Sequence, residues 1–221
     1  MSQTPQYLSA TVQRYVKIPY LLFLPEGYHQ DPRRRWPMIL FLHGAGERGN
    51  DLSLLKKHGI PKIVETQPDF PFVTISPQCP PDDWWPNRID DLQVLLDRAM
   101  ATYRVDPHRI YLTGLSMGGY GSWSLALRFP DRFAAVVPIC GGLWGSPPQA
   151  VQRLKDVPIW VFHGAKDPVV PLAESKRLVE ALQQVGAKVR FTIYPDAEHD
   201  AWTRTYANPA LYEWLLEHTL P

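Results

Sequence analysis

Six short runs in this chain are apolar almost without a break: "PMILFLHG", "PFVTISP", "RIYLTG", "FAAVVPICGG", "VPIWVFHG" and "VRFTIYP". Each has the length of a strand and ends in Gly, Pro or Ser. A strand with one wet face would alternate apolar and polar positions. These do not, so both faces are buried, which predicts a mostly parallel sheet with helices on both sides.

Between the runs the period becomes helical. "NRIDDLQVLLDRAMATY" sets Ile89, Leu92, Leu95, Leu96, Ala99 and Tyr103 on one stripe. "PLAESKRLVEALQQVG" does the same with Leu172, Leu178, Val179 and Leu182, and Gly186 is placed to stop it. Asn208 and Pro209 read as a cap and first turn ahead of Leu211, Trp214 and Leu215. Alternation of strand and helix from about residue 37 predicts right-handed crossovers and a three-layer α/β domain. The earlier stretch "VQRYVKIPYLLFLPEGY" reads as one or two edge strands over about residues 11–24, broken near Pro19 and paired as a short antiparallel hairpin. The 23 prolines of the whole chain are scattered at element boundaries, and no linker or repeat interrupts it, so the expectation is one domain over 1–221.

Composition narrows the function. A chain of 221 residues can bury a sizeable core. A net charge of +1 gives no electrostatic reason to expect nucleic acid. The longest apolar candidate for a membrane span, "FAAVVPICGGLWG", is far short of the roughly twenty residues needed. The polar start "MSQTPQYLSATVQRY" lacks the charge-then-apolar pattern of a secretory leader. Two cysteines, Cys79 and Cys140, make no disulfide scaffold and are expected as free thiols. A cytoplasmic location is the expectation.

The candidate chemistry lies in "RIYLTGLSMGGYGSWSLAL", where a strand over Ile110–Gly114 gives way to a helix from Tyr120. Between them sits Ser116 in the pattern Gly114-Leu115-Ser116-Met117-Gly118. A sharp strand-to-helix turn thrusts a serine hydroxyl clear of the backbone, and glycines two residues away remove the collisions such a turn creates. The turn also aims the first free N–H groups of the helix at the site, so Met117 is expected to donate to an oxyanion.

A serine hydroxyl needs a base, and the base needs an acid behind it. His199, in the loop "YPDAEHDAW" after the last strand, is the expected base. His218 lies in the final helix, and His163 sits at a strand tip too stiff to swing over Ser116. Asp167, one loop beyond "VPIWVFHG", is the expected acid, because Asp196, Glu198 and Asp200 lie too near His199 along the chain. The loop "HGAGERGND" should supply the second oxyanion donor, with Ala45 first and Gly46 next, while His43 ties the loop down. Glu47 and Arg48 are expected to brace each other.

Together, "LFLHGAGERG", "DPHRIYLTGLSMGGYGSW", "VFHGAKDPVVP" and "AEHDAW" resemble the α/β-hydrolase superfamily. More narrowly, they are similar to small esterases and predicted peptidases related to polyhydroxybutyrate depolymerases, feruloyl esterases and phospholipase/carboxylesterases. The resemblance runs from about residue 16 to 215. It implies a Ser116–His199–Asp167 hydrolase that needs no cofactor or metal and prefers esters to amides. Only "GGLWGSPPQAVQRLKD" separates the strand near Cys140 from the next, too little for a large lid.

Trp84, Trp85, Leu143, Trp144 and Trp202 fall on loops at the expected catalytic rim and are candidate substrate-binding walls, suited to acyl chains or aromatic acids. The expected partner is a small-molecule ester, with a homodimer left open. Competing readings are a serine peptidase of the prolyl-oligopeptidase type and a hydrolase-like binding module without catalysis. A metal hydrolase is disfavoured, because His43, His163 and His199 lie on separate loops with no metal-binding spacing.

Overall fold

The structure, a computed structural model, describes residues 4–11 and 13–221. Residues 1–3 of the polar start, and residue 12 of the strand expected over about 11–24, lie outside the described residues.

Seven strands form one sheet: β1 (Tyr20–Phe23), β2 (Trp36–Leu42), β3 (Val73–Pro77), β4 (Val105–Leu115), β5 (Ala135–Ile139), β6 (Ile159–Gly164) and β7 (Val189–Tyr194). Their order across the sheet is β1-β3-β2-β4-β5-β6-β7. Only β1 runs antiparallel, with Tyr20 opposite Pro77 and Phe23 opposite Thr74. All six apolar runs become strands of this sheet.

Both faces of the sheet are covered, as continuous apolar runs require. In β2, Met38, Leu40 and Leu42 enter one core, and Ile39 and Phe41 enter the other. The first core takes helices α2 (Ile89–Thr102), α3 (Met117–Arg128) and α4 (Leu172–Gln183) through Leu92, Trp123 and Leu178. The second takes α1 (Gly59–Val64), α5 (Trp202–Tyr206) and α6 (Pro209–Leu216) through Ile60, Tyr206 and Trp214. Asn208 caps α6 by accepting from the Ala210 N–H at 3.1 Å, and Gly186 adopts a φ of 75° beyond the end of α4.

Two expectations need correction. The N-terminal hairpin is a single edge strand, Tyr20–Phe23; residues 13–19 pair with no strand. Apolar character there is too sparse to cover an edge, and Arg14 instead reaches the buried Asp91 carboxylate at 2.6 Å. The helix after Ser116 starts at Met117 rather than Tyr120. Its glycines, poor helix formers in isolation, are held by the packing described next.

Between β5 and β6 the described chain holds only a short 3-10 segment, Pro148–Leu154, and no cap. None of the helices among the described residues is long and apolar enough to cross a membrane.

Candidate active site

The corner at Ser116 is built by close backbone contact. Ser116 sits at φ 53° and ψ −115°, a conformation that costs a non-glycine residue on the order of 1–3 kcal/mol. Its own N–H donates to the Ile139 carbonyl at 2.9 Å, which pins the turn to β5. A side chain at 118 would put its Cβ 1.9 Å from the Leu42 carbonyl oxygen, and one at 114 would put it 2.3 Å from that of Gly118. Only glycine lets β2, β4 and α3 meet this closely, and the strain at Ser116 is held by that packing.

The three expected residues converge. Ser116 Oγ lies 2.9 Å from His199 Nε2, and His199 Nδ1 lies 2.7 Å from Asp167 Oδ2. The carboxylate directly behind the ring fixes the tautomer: Nδ1 donates to Asp167, leaving Nε2 free to accept from the hydroxyl. The Asp167 side chain is fully buried, while the His199 side chain keeps 19% of its exposure. Burial alone would raise the Asp167 pKa. Hydrogen bonds from His199 and from the Val170 and Val169 N–H groups outweigh it and hold the carboxyl below its ordinary value of 3.8.

The loops that carry acid and base are tied together. The Ala165 N–H donates to the Tyr194 carbonyl, and the Lys166 N–H to that of Ala197. Gly164 permits this approach, because a Cβ there would meet the Glu198 oxygen at 2.0 Å. Cys140, at a φ of 48°, donates its thiol to the His199 carbonyl at 3.2 Å.

Ala45 opens a 3-10 turn and Met117 opens α3, and both line the same cavity as Ser116. The first N–H of each has no acceptor within its own helix. His43 secures this loop. Its Nδ1 donates to the Gly44 carbonyl, and its Nε2 accepts the Cys79 N–H at 2.9 Å. Burial pushes the His43 pKa down to about 4, so the ring is neutral, as an Nε2 acceptor must be. Glu47 and Arg48 do not brace each other. Arg48 donates to the Ala45 and Asp83 carbonyls, while the buried Glu47 faces His58 at 3.9 Å.

A cavity of about 480 Å³ opens beside Ser116. It is lined by Trp84, Pro86 and Asn87 ahead of α2, by Met117 and Tyr120 of α3, by Trp144, by Val169 and Val170 after Asp167, and by Ala45. Of the expected walls, Trp84 and Trp144 line it. Trp85 does not: it is 1% exposed and gives its indole N–H to the His43 carbonyl at 3.0 Å. Leu143 is buried in the core that carries α4. Trp202 packs edge-on against the His199 ring at 5.1 Å and against His58 at 5.7 Å, outside the cavity. Sequence reasoning missed Tyr120, Pro86, Asn87, Val169 and Val170. Their only signal was adjacency to the serine, the tryptophan pair and the acid.

Cys140, Asp167 and His199 bring ligand atoms within 4.8 Å of one another. Burial raises the Cys140 thiol to about 12, so it stays protonated, and both Asp167 oxygens already accept hydrogen bonds. That donor set fits a hydrogen-bonded relay better than a cation.

The family model described as the dienelactone hydrolase family matches residues 84–211. A solved structure described as a thermostable esterase is 38% identical, with a TM-score of 0.78 over 92% of this chain and 60% of its own. Among curated relatives, a poly(3-hydroxyoctanoate) depolymerase of Pseudomonas fluorescens is 29% identical over 63% of this chain and 59% of its own. The probable feruloyl esterase C of Aspergillus terreus is 27% identical over 69% of this chain and 56% of its own. The chain thus spans little more than half the length of these curated relatives. The resemblance read from the four motifs holds, and the matched segment contains Ser116, Asp167 and His199: this chain belongs to the dienelactone hydrolase family, on the α/β-hydrolase fold.

Proposed function

We propose that the chain hydrolyses carboxylic esters through an acyl-enzyme on Ser116, with His199 as general base and acid and Asp167 orienting it. The observation that carries this reading is the relay of 2.9 Å and 2.7 Å contacts from the Ser116 hydroxyl to the buried carboxylate. Ser116 Oγ attacks the ester carbonyl carbon as its proton passes to His199 Nε2. The Ala45 and Met117 N–H groups hold the oxygen that turns negative. The tetrahedral carbon then expels the alkoxide, which takes the proton from His199 and leaves as alcohol. Water repeats the cycle: His199 removes its proton, hydroxide oxygen joins the acyl carbon, and Ser116 departs reprotonated. No step consumes a cofactor.

The cavity walls favour an apolar or aromatic acyl group. Among the described residues no cap lies between β5 and β6, which suits a small ester. Feruloyl and 3-hydroxyoctanoyl esters, named in two relatives, are the first substrates to try.

The test is turnover of a series of nitrophenyl esters beside the matching anilides. Esters are expected to be cleaved faster than anilides. Ser116→Ala is expected to lower kcat by on the order of 10⁵-fold or more, and Asp167→Asn by about 10⁴-fold. A folded Ser116→Ala protein with undiminished turnover would overturn the reading.

A further inference from the structure

The relay from Ser116 through His199 to Asp167 does not use His163. That residue is nonetheless fully buried at the tip of β6, four residues before Asp167. Its Nε2 lies 2.8 Å from the Val170 carbonyl oxygen and 3.2 Å from Asp167 Oδ2. That oxygen is the one that accepts from His199 Nδ1. Its Nδ1 lies 2.8 Å from Ser175 Oγ, which comes in from α4.

These contacts decide the tautomer. A carbonyl oxygen and a carboxylate oxygen can only accept. An unprotonated Nε2 would aim its lone pair at both, so Nε2 carries the hydrogen. Burial lowers the His163 pKa, which leaves one proton on the ring in the neutral range. Nδ1 is then an acceptor, and the Ser175 hydroxyl shares its one hydrogen between Nδ1 at 2.8 Å and the Gly141 carbonyl at 3.1 Å.

We propose that His163 is a positioning residue for the acid: its Nε2–H, shared between Asp167 Oδ2 and the Val170 carbonyl, fixes the carboxylate oxygen that orients His199. Asp167 receives the Val169 and Val170 N–H groups on Oδ1 and His199 on Oδ2, and that same Oδ2 lies 3.2 Å from His163 Nε2, whose shorter contact is the Val170 carbonyl at 2.8 Å. Each donor spreads the negative charge. A carboxylate so held presents Oδ2 to His199 Nδ1 in one orientation. The titratable groups that face the pair are His199, from the loop after β7, and Cys140, from the turn after β5. This inference rests on Asp167 being the acid of the proposed relay.

Three readouts test it. Nitrogen NMR of histidine-labelled wild-type protein is expected to show His163 neutral, with the proton on Nε2. An Nδ1–H tautomer or an imidazolium at pH 7 would overturn the proposal. His163→Phe removes the donor and keeps the ring volume, whereas His163→Gln keeps an N–H near the Nε2 position. The proton resonance of the His199 Nδ1–H that faces Asp167 is expected to move in His163→Phe and to return toward wild type in His163→Gln. Ester turnover should follow, with kcat down about tenfold in His163→Phe, KM little changed, and His163→Gln restoring kcat. Equal loss in the two variants with an unmoved His199 resonance would reduce His163 to a packing role and overturn the inference. The NMR readouts need no turnover, so they stand apart from the Ser116→Ala assay that tests the proposed function.

Discussion

Trp84 and Trp85 are neighbours in sequence and opposites in environment, 47% against 1% exposed. Trp84 stands over the cavity, and the Arg48 guanidinium lies 5.4 Å from its ring. Trp85 is packed against the His43 ring and bonded to the His43 carbonyl. Trp85→Ala is expected to cost about 3–5 kcal/mol, read as a lower urea midpoint. Trp84→Ala should leave stability within roughly 0.5 kcal/mol and raise KM for bulky acyl groups. The pair was legible in sequence as aromatic rim, but not which ring faced the cavity. That depends on a half-turn of loop and on a carbonyl that only the fold brings within reach.

A second consequence at this scale concerns acid. The His43 pKa is lowered from 6.5 to about 4 by burial. Below pH 6.5 the unfolded chain takes up a proton that the folded ring refuses, so stability falls as pH falls. The loss runs from pH 6.5 down to about 4, and for this residue alone reaches on the order of 3 kcal/mol. Asp167 works in the same direction further down. Its lowered pKa contributes stability above 3.8 that disappears as pH drops through the folded value. Urea midpoints measured between pH 7 and 4.5 should therefore decline; a flat profile would contradict the buried neutral His43.

At the level of elements, the strands were the most legible part of the chain, because β2, β3, β5, β6 and the second half of β4 are buried on both faces and their runs admit little else; β7, expected to be equally buried, is half-exposed because it closes the far edge of the sheet. The turn at Ser116 was legible for a related reason. Three backbones meet there, and the sequence must give up side chains to allow it. Gly118→Ala is expected to destroy the corner, seen as loss of soluble protein or a stability drop beyond about 4 kcal/mol. Gly46→Ala, where a Cβ would meet nothing within 4 Å, is expected to be tolerated in both stability and turnover. The N-terminal segment was the least legible element. Val16 and Ile18 suggest a strand, and among the described residues the outer edge of β1 is open, yet the segment is drawn instead toward the buried Asp91 through Arg14. That tertiary ion pair is not carried by the local sequence.

Across the whole molecule, the sheet brings three residues from distant loops to one rim: Ser116 after β4, Asp167 after β6 and His199 after β7. Their order along the chain was readable, because each follows an apolar run by a loop. The support behind them was not. His163 and Cys140 touch the relay, and Ser175 touches His163, only because β5, β6 and α4 pack together, and nothing in their local sequence marks those contacts. The central claim is that this geometry makes Ser116 a nucleophile. Intact-mass and peptide mapping after exposure to a fluorophosphonate tests it most directly. The account predicts one adduct per chain, located on Ser116 and absent from Ser116→Ala. A folded wild-type protein that stays unmodified, or that carries its adduct on another residue, would contradict it.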